Sequence, residues 1–477
     1  MELAVIFITF IASIHYGLKK PTRIIHILIW VFPYLAGGNA IFGWIPPKIP
    51  LSITLGFSII IIGLFKINKI LKVKKLFALT TFFYLLIYCG LVTCLGLVVV
   101  NNDFLAYWSQ PPLIRAINSY LNEVFFWLLP IFCVTLSYTE RSKHSHTIIF
   151  TQLVKSCIYS GFFYSSLGMI QFLASSTVGV DIFPIVRGAG SEGGLQSVAA
   201  GGISGRINSI CGEPRYLSAY TNIWFALITC FGKKINIKSS IQFFGSILFI
   251  LTMLLSGSRT GIFGVIATLG LIGIFQLFGF VKILNSKQIS IFLMIGLIFN
   301  LIIAQPDSVL MNRLNPQEES IHFDNLTIGE IKIPMEFQDL GSLNLTLDNP
   351  ISFIFGLGSG LWQYGFNPST NLGLVAIYGK SMTLESVRPN LGLLHRFSSY
   401  GFLGICIMIF CYWKLFNSLK IGLNDSDARE IIAVLIIFSG VVQMAKLSDS
   451  YAHLVTILMI TFVRVSSSSL KYKYNSN

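Results

Sequence analysis

Charge is what this chain has least of. Only 11% of its 477 residues are Asp, Glu, Lys or Arg, where a soluble protein of this size keeps roughly a quarter. With 54% hydrophobic residues and a mean hydropathy of +0.73, the composition belongs to a membrane protein. Segments of about ten residues with alternating hydrophobicity are missing, which excludes a transmembrane barrel. A disulfide framework is missing too. Of eight cysteines, Cys89, Cys94, Cys133, Cys157, Cys230, Cys406 and Cys411 lie in or beside apolar runs, and Cys211 alone falls in a long loop. Their spacings match no metal site. The first apolar run, from Glu2 to Gly17, has no basic residues before it, and Lys19, Lys20 and Arg23 follow it. That order predicts a retained helix with an outside N-terminus rather than a cleaved signal. Acidic residues are the scarcer sign, 20 against 34 basic, for a net charge of +14. The basic residues form short clusters between apolar runs, so they set topology and do not make a nucleic-acid surface.

What is present in quantity is the apolar run of about 20 residues, the length a helix needs to cross a hydrocarbon core roughly 30 Å thick. Each run is expected to be helical, because lipid offers no partner to bare backbone amides. The spans are placed near 2–18, 24–40, 51–65, 76–100, 118–138, 147–174, 217–232, 241–256, 261–280, 289–304, 391–413, 430–446 and 451–464. The expected fold class is all-α: a polytopic transmembrane helical bundle of about 12–13 spans forming one membrane-embedded domain, 1–477. Alternating from an outside N-terminus puts 21 of the 34 basic residues in short inside loops, and every inside loop is basic, as the positive-inside rule requires.

Two long segments then face outward. One is a Gly-rich loop, 175–216, with seven glycines from Gly188 to Gly205; the other is a large loop between late spans, 305–390. Pro306, Pro316, Pro334, Pro350, Pro368 and Pro389 interrupt the second repeatedly, predicting short helices or an irregular cap rather than a separate soluble domain. The inside loops are too short for a nucleotide-binding domain, which argues against a cytoplasmic nucleotide or nucleotide sugar as substrate.

Short motifs mark the outer side. Gly188-Ala-Gly190-Ser-Glu-Gly193 fits GxGxxG but follows no strand, and reads as a flexible loop. Arg206-Ile-Asn-Ser-Ile-Cys-Gly-Glu213-Pro-Arg215 leads into the seventh span and puts a carboxylate and two guanidiniums at the membrane surface. Arginine forks match phosphate oxygens bidentately; the plain alternative is an interfacial arginine snorkelling beside a glutamate. Ser258-Arg259-Thr260-Gly261 joins two spans with almost no loop, leaving Arg259 at the outer boundary. There a topogenic role opposes the positive-inside bias, and a functional cation fits better. His395 and Arg396 open the eleventh span, where a histidine is either a general base or a hydrogen-bonded core residue. Asn349-Pro350 and Phe355-Gly356-Leu-Gly358-Ser-Gly360 form a glycine-spaced apolar turn, weak as a signal by itself. Arg115 and Arg187 read as ordinary loop charges.

Together, Gly212-Glu213-Pro214-Arg215, Ser258-Arg259-Thr260-Gly261, Asn349-Pro350 with Phe355 to Gly360, and Pro389-Asn390…Gly401…Gly404 resemble the O-antigen polymerase and O-antigen ligase superfamily of bacterial envelope proteins. The resemblance covers roughly residues 205 to 410 and lies in the order and sidedness of short motifs. It implies a GT-C-like glycosyltransferase of the bacterial inner membrane, using undecaprenyl-diphosphate-linked oligosaccharide, with no cofactor and no metal. Arg215 and Arg259 would bind the diphosphate, with Arg206 or Arg396 assisting. Glu213 or His395 would be catalytic, orienting or deprotonating the acceptor hydroxyl. Where the family has a histidine directly before the helix-entry asparagine, this chain has Pro389, and His395 stands a little over one turn later. The implied partners are membrane lipid, a chain-length regulator and a flippase, with no nucleic acid. Polymerase is the leading reading. A ligase acting on lipid A-core, and a lipid-linked-oligosaccharide flippase, are its alternatives; the long outer loop and the lack of an internal repeat argue against the flippase.

Overall fold

The computed structural model describes residues 2–20, 22–35, 48–66, 77–99, 111–121, 123–124, 127, 145–180, 182–183, 207–211, 214–232, 235–258, 269–270, 273–274, 323–328, 331–348, 350–361 and 392–420. In chain order the helices are α1 (Glu2–Lys19), α2 (Thr22–Leu35), α3 (Lys48–Phe65), α4 (Phe77–Val99), α5 (Ser145–Val178), α6 (Pro214–Phe231) and α7 (Ser239–Leu255). After a hairpin of β1 (Phe323–Ile328) and β2 (Ile331–Glu336) come α8 (Phe337–Asp348), α9 (Pro350–Phe355) and α10 (Gly392–Lys420). A further helical stretch runs over 112–121.

Among the described residues, three helices are long and apolar enough to cross a membrane, over Thr81–Val98, Thr151–Val178 and Gly392–Cys411. The pattern within α4 explains why they belong there. Phe82, Leu85, Leu86, Cys89 and Val92 are buried, while Phe83, Tyr84, Ile87, Leu91, Leu95 and Val98 are exposed. A helix that is apolar on its outward face as well as its inward one suits lipid, not water. The chain is therefore a helical membrane protein.

The helices follow the expected spans closely for α1, α3, α4, α6 and α7. The helix expected at 118–138 already runs at 112, so Arg115 stands on a helix and not in a loop. The spans expected at 289–304, 430–446 and 451–464 lie outside the described residues, as does most of 261–280. In the large loop, α8 and α9 are the short helices expected. The hairpin departs from an all-helical reading. Phe323 pairs with Glu336 and Ile328 with Ile331 in antiparallel register. Pro334 is compatible with this strand because a two-stranded ribbon has free edges.

The described contacts gather in two groups. In one, α1 packs on α3, α2 on α5, and α6 and α7 on each other and on α5. Close approach there depends on missing side chains: a Cβ at Gly161 would lie 2.5 Å from the ring of Trp224. Trp224 is fully enclosed and stacks with Tyr164 and Tyr220, ring centroids 5.9 and 5.8 Å away. In the other group α10 packs against α4, α8 and α9, and on this side lie the buried charged side chains Glu123, Asp339 and Arg396.

Candidate functional site

The site is built around a break in α10. At Gly401 the backbone takes φ 63° and ψ −171°, so the helix stops and restarts. A break releases carbonyls that lipid cannot satisfy. The released groups are met by protein instead. Leu357 N donates to Ser398 O at 3.1 Å and Gly358 N to Ser399 O at 2.8 Å, and the Tyr88 hydroxyl donates to Tyr400 O at 2.9 Å.

The donors at 357 and 358 come from the glycine-spaced turn. Gly356, Gly358 and Gly360 all have positive φ, at 80°, 90° and 68°, a region that costs other residues 1 kcal/mol or more, roughly. The turn is also pressed against its neighbours, since a Cβ on Gly358 would sit 2.7 Å from the Cα of Thr93 on α4. Hydroxyls complete the seat. Ser359 N donates to Thr93 Oγ1 at 3.0 Å, and the Ser359 and Tyr400 hydroxyls lie 2.7 Å apart. Ser342 and Thr346 of α8 reach the Ser398 hydroxyl at 3.1 and 3.2 Å. What reads in sequence as a weak apolar turn is the part that holds the broken helix together.

The helical stretch beyond 111 contributes one face. Arg115, Ser119, Glu123 and Trp127 recur every four residues, which puts them on one side of a helix. Arg115 Nε donates to Gly360 O at 3.1 Å. Trp127 Nε1 donates to Glu123 Oε2 at 3.1 Å. Arg396 Nη1 donates to Glu123 Oε1 as a buried ion pair, with Glu123 5% and Arg396 9% exposed. Such burial is tolerable only when both charges and their remaining lone pairs are matched. Beside this pair lies a crevice about the size of one water, lined by Arg396, Tyr400 and Gly404 of α10, Cys89 of α4, and Trp127.

Of the residues singled out from sequence, Arg396 is therefore in the site. His395, beside it, is half-buried. Arg215 is the second residue of α6. Arg206, Glu213 and Arg259 lie outside the described residues, but their flanks do not. Gln171 of α5 accepts from Asn208 N and Ser209 N, at 3.0 and 2.8 Å, and donates to Asn208 Oδ1 and Phe183 O, at 2.6 and 3.3 Å. All four bonding positions of its amide are used, and they fix the turn between Arg206 and Glu213. Cys211 is enclosed there, and burial pushes its thiol well above the ordinary value. Ile207 N donates to Leu255 O at 3.2 Å. At the opposite ends of α6 and α7, Gln242 donates to Ile228 O at 3.1 Å. The two helices are thus antiparallel, and the start of α6, with Arg215, shares one end of the bundle with the turn that leads to Arg259.

Sequence reading missed Glu123, Arg115 and Gln171. Glu123 had a usable signal, a carboxylate inside an apolar span; Arg115 had the four-residue spacing. Among the described residues no three His, Cys, Asp or Glu side chains gather as metal ligands. Compared with known proteins, the chain matches no family model and no curated sequence significantly.

Proposed function

We propose that this protein is a surface-polysaccharide polymerase of the O-antigen type. In this reading it joins undecaprenyl-diphosphate-linked repeat units at the outer face of a bacterial inner membrane. The acceptor hydroxyl oxygen attacks the anomeric carbon of the donor, and its proton passes to Glu213 or His395. The anomeric C–O bond breaks, and its electron pair leaves with the diphosphate. Charge growing on that leaving group is best met by fixed guanidiniums shielded from water, the role assigned to Arg215 and Arg259, with Arg206 or Arg396 assisting.

The observation that carries this reading is the meeting of two motif segments whose hydrogen-bonded residues are more than 40 positions apart in sequence. The Phe355–Gly360 turn hydrogen-bonds the Gly392–Gly404 helix entry at its break, beside a buried arginine. A further support is the shared end of α6 and α7, which brings the approaches to Arg215 and Arg259 to one side.

Deleting the gene and profiling surface and lipid-linked glycans tests the proposal. Loss of long chains with single-repeat molecules retained is the expected result. Loss of all glycan on the lipid core would instead identify a ligase, and accumulation of lipid-linked repeats on the inner leaflet a flippase.

A further inference from the structure

The turn between Arg206 and Glu213 is held in a conformation that its own residues do not favour. Within it Ser209 takes φ 52°. Among the described residues only Ser209 and Asn236 hold a positive φ without being glycine. Asparagine enters that region comparatively readily; serine does not. Such conformations persist where the surroundings over-determine them, and they gather at functional sites. Ser209 gives its own backbone no support, because its hydroxyl is buried and makes no hydrogen bond. The conformation is imposed from outside.

Gln171, near the end of α5, imposes it. Its Oε1 accepts from the Asn208 and Ser209 amides at 3.0 and 2.8 Å, and its Nε2 donates to Asn208 Oδ1 at 2.6 Å. Gly168 stands on the same face of α5, and a Cβ there would come within 3.2 Å of Ile207 Cδ1, so the turn is seated directly on the helix. From the turn the bonds run on to α7. Ile207 N donates to Leu255 O at 3.2 Å. The next residue, Ser256, donates its hydroxyl to Met253 O at 2.6 Å and accepts there from Ser258 N at 3.3 Å. Ile207 adjoins Arg206 and Ser258 adjoins Arg259, and both are buried. One amide side chain thus stands at the root of a hydrogen-bonded path that ends one residue from each arginine.

We propose that Gln171 is a positioning residue. By pinning Ser209 at positive φ, it sets the arm that carries Arg206 against the end of α7 that leads to Arg259. It touches no substrate in this role and acts through backbone alone. The inference rests on the functional reading that assigns the arginines of these two segments to the diphosphate, and it names what fixes their spacing.

The test is turnover by full-length protein in vesicles supplied with lipid-linked repeat units, expressed per folded molecule by fluorescence-detected size exclusion. Gln171→Met keeps the bulk and removes the hydrogen bonds to the turn. Its kcat per folded molecule is expected to fall about 10- to 100-fold, because a displacement of about 1 Å at a reacting site has effects of that order. Adding Ser209→Gly should recover most of the loss, since glycine adopts positive φ unaided. Adding Ser209→Ala instead should recover none. A loss confined to folded yield, with kcat per folded molecule as in wild type, marks a merely structural amide and overturns the proposal. So does a loss that glycine and alanine at 209 leave equally uncorrected. Should Gln171→Met not fold, Gln171→Asn keeps a polar amide one methylene too short to span both backbone N–H groups, and the same results decide. A wild type that joins no repeat units defeats the functional reading and this role with it. An active wild type beside an equally active Gln171 variant defeats the positioning role alone.

Discussion

Replacing Gly401 by alanine should remove most of the folded protein from the membrane. Two costs act at once. The residue stands at φ 63° and ψ −171°, conformational space that is essentially glycine's, and a side chain there costs on the order of 1–3 kcal/mol. A Cβ would also sit 2.5 Å from the Gly356 nitrogen and from Ile354 C and O, and backbone cannot swing aside as a side-chain tip can. Separating the two segments far enough to admit a methyl would break the Leu357 N to Ser398 O and Gly358 N to Ser399 O bonds, leaving buried carbonyls unpaired at about 1–3 kcal/mol each. The sum is in the range that single substitutions reach only through a named structural failure. Gly356→Ala should behave alike, since its Cβ would lie 2.5 Å from the Gly401 nitrogen. Gly179→Ala is the informative contrast: it too has positive φ, but nothing stands within 4 Å, so it should cost only about 1–2 kcal/mol. Membrane-fraction abundance and fluorescence-detected size exclusion in detergent would measure all three. Normal levels of a monodisperse Gly401→Ala protein would mean that the turn and the broken helix do not dock as described.

Arg215→Lys and Arg259→Lys should each cripple polymer formation, by about 10²- to 10³-fold, while protein levels hold. Lysine keeps the charge but loses the planar fork that engages two phosphate oxygens at once, and a diphosphate carries more charge than one cation neutralises. Effects of that size on rate without loss of protein separate a binding role from an interfacial snorkel, which lysine performs as well as arginine. Arg187→Lys is expected to change little. Arg115 is not a neutral control, because its Nε holds Gly360 O and its loss would loosen the glycine turn. If Arg215→Lys and Arg259→Lys both polymerise at wild-type rates, the shared diphosphate grip is wrong.

The helices that face lipid were the most legible feature of the sequence. In α4 and α10 hydrophobicity runs right round the helix, so length and composition alone mark them, and their observed bounds fall within a few residues of those expected except at the end of α10. The break in α10 was legible in part. Gly401 stands out as a glycine in an apolar span, but a mid-helix glycine also occurs where helices merely approach closely, as at Gly161 and Gly245. Only the partner segment, more than 40 residues upstream, distinguishes the two. The hairpin was hidden because its strands are short and Pro334 argues against a strand unless it lies on an edge. Glu123 and Arg396 are separated by 273 residues, and no periodicity within one helix reports a pairing between two. Arg396 stands in a recognisable motif, and Glu123 stands in none.

The most direct measurement is polymerisation by the purified full-length protein, reconstituted in vesicles with lipid-linked repeat units and a metal chelator, and with no nucleotide or nucleotide sugar present. The account predicts a ladder of products growing in steps of one repeat unit, with undecaprenyl diphosphate released in equal number to the bonds made. A protein that leaves the repeat units unjoined under these conditions, and joins or moves them only when nucleotide is supplied, would contradict it.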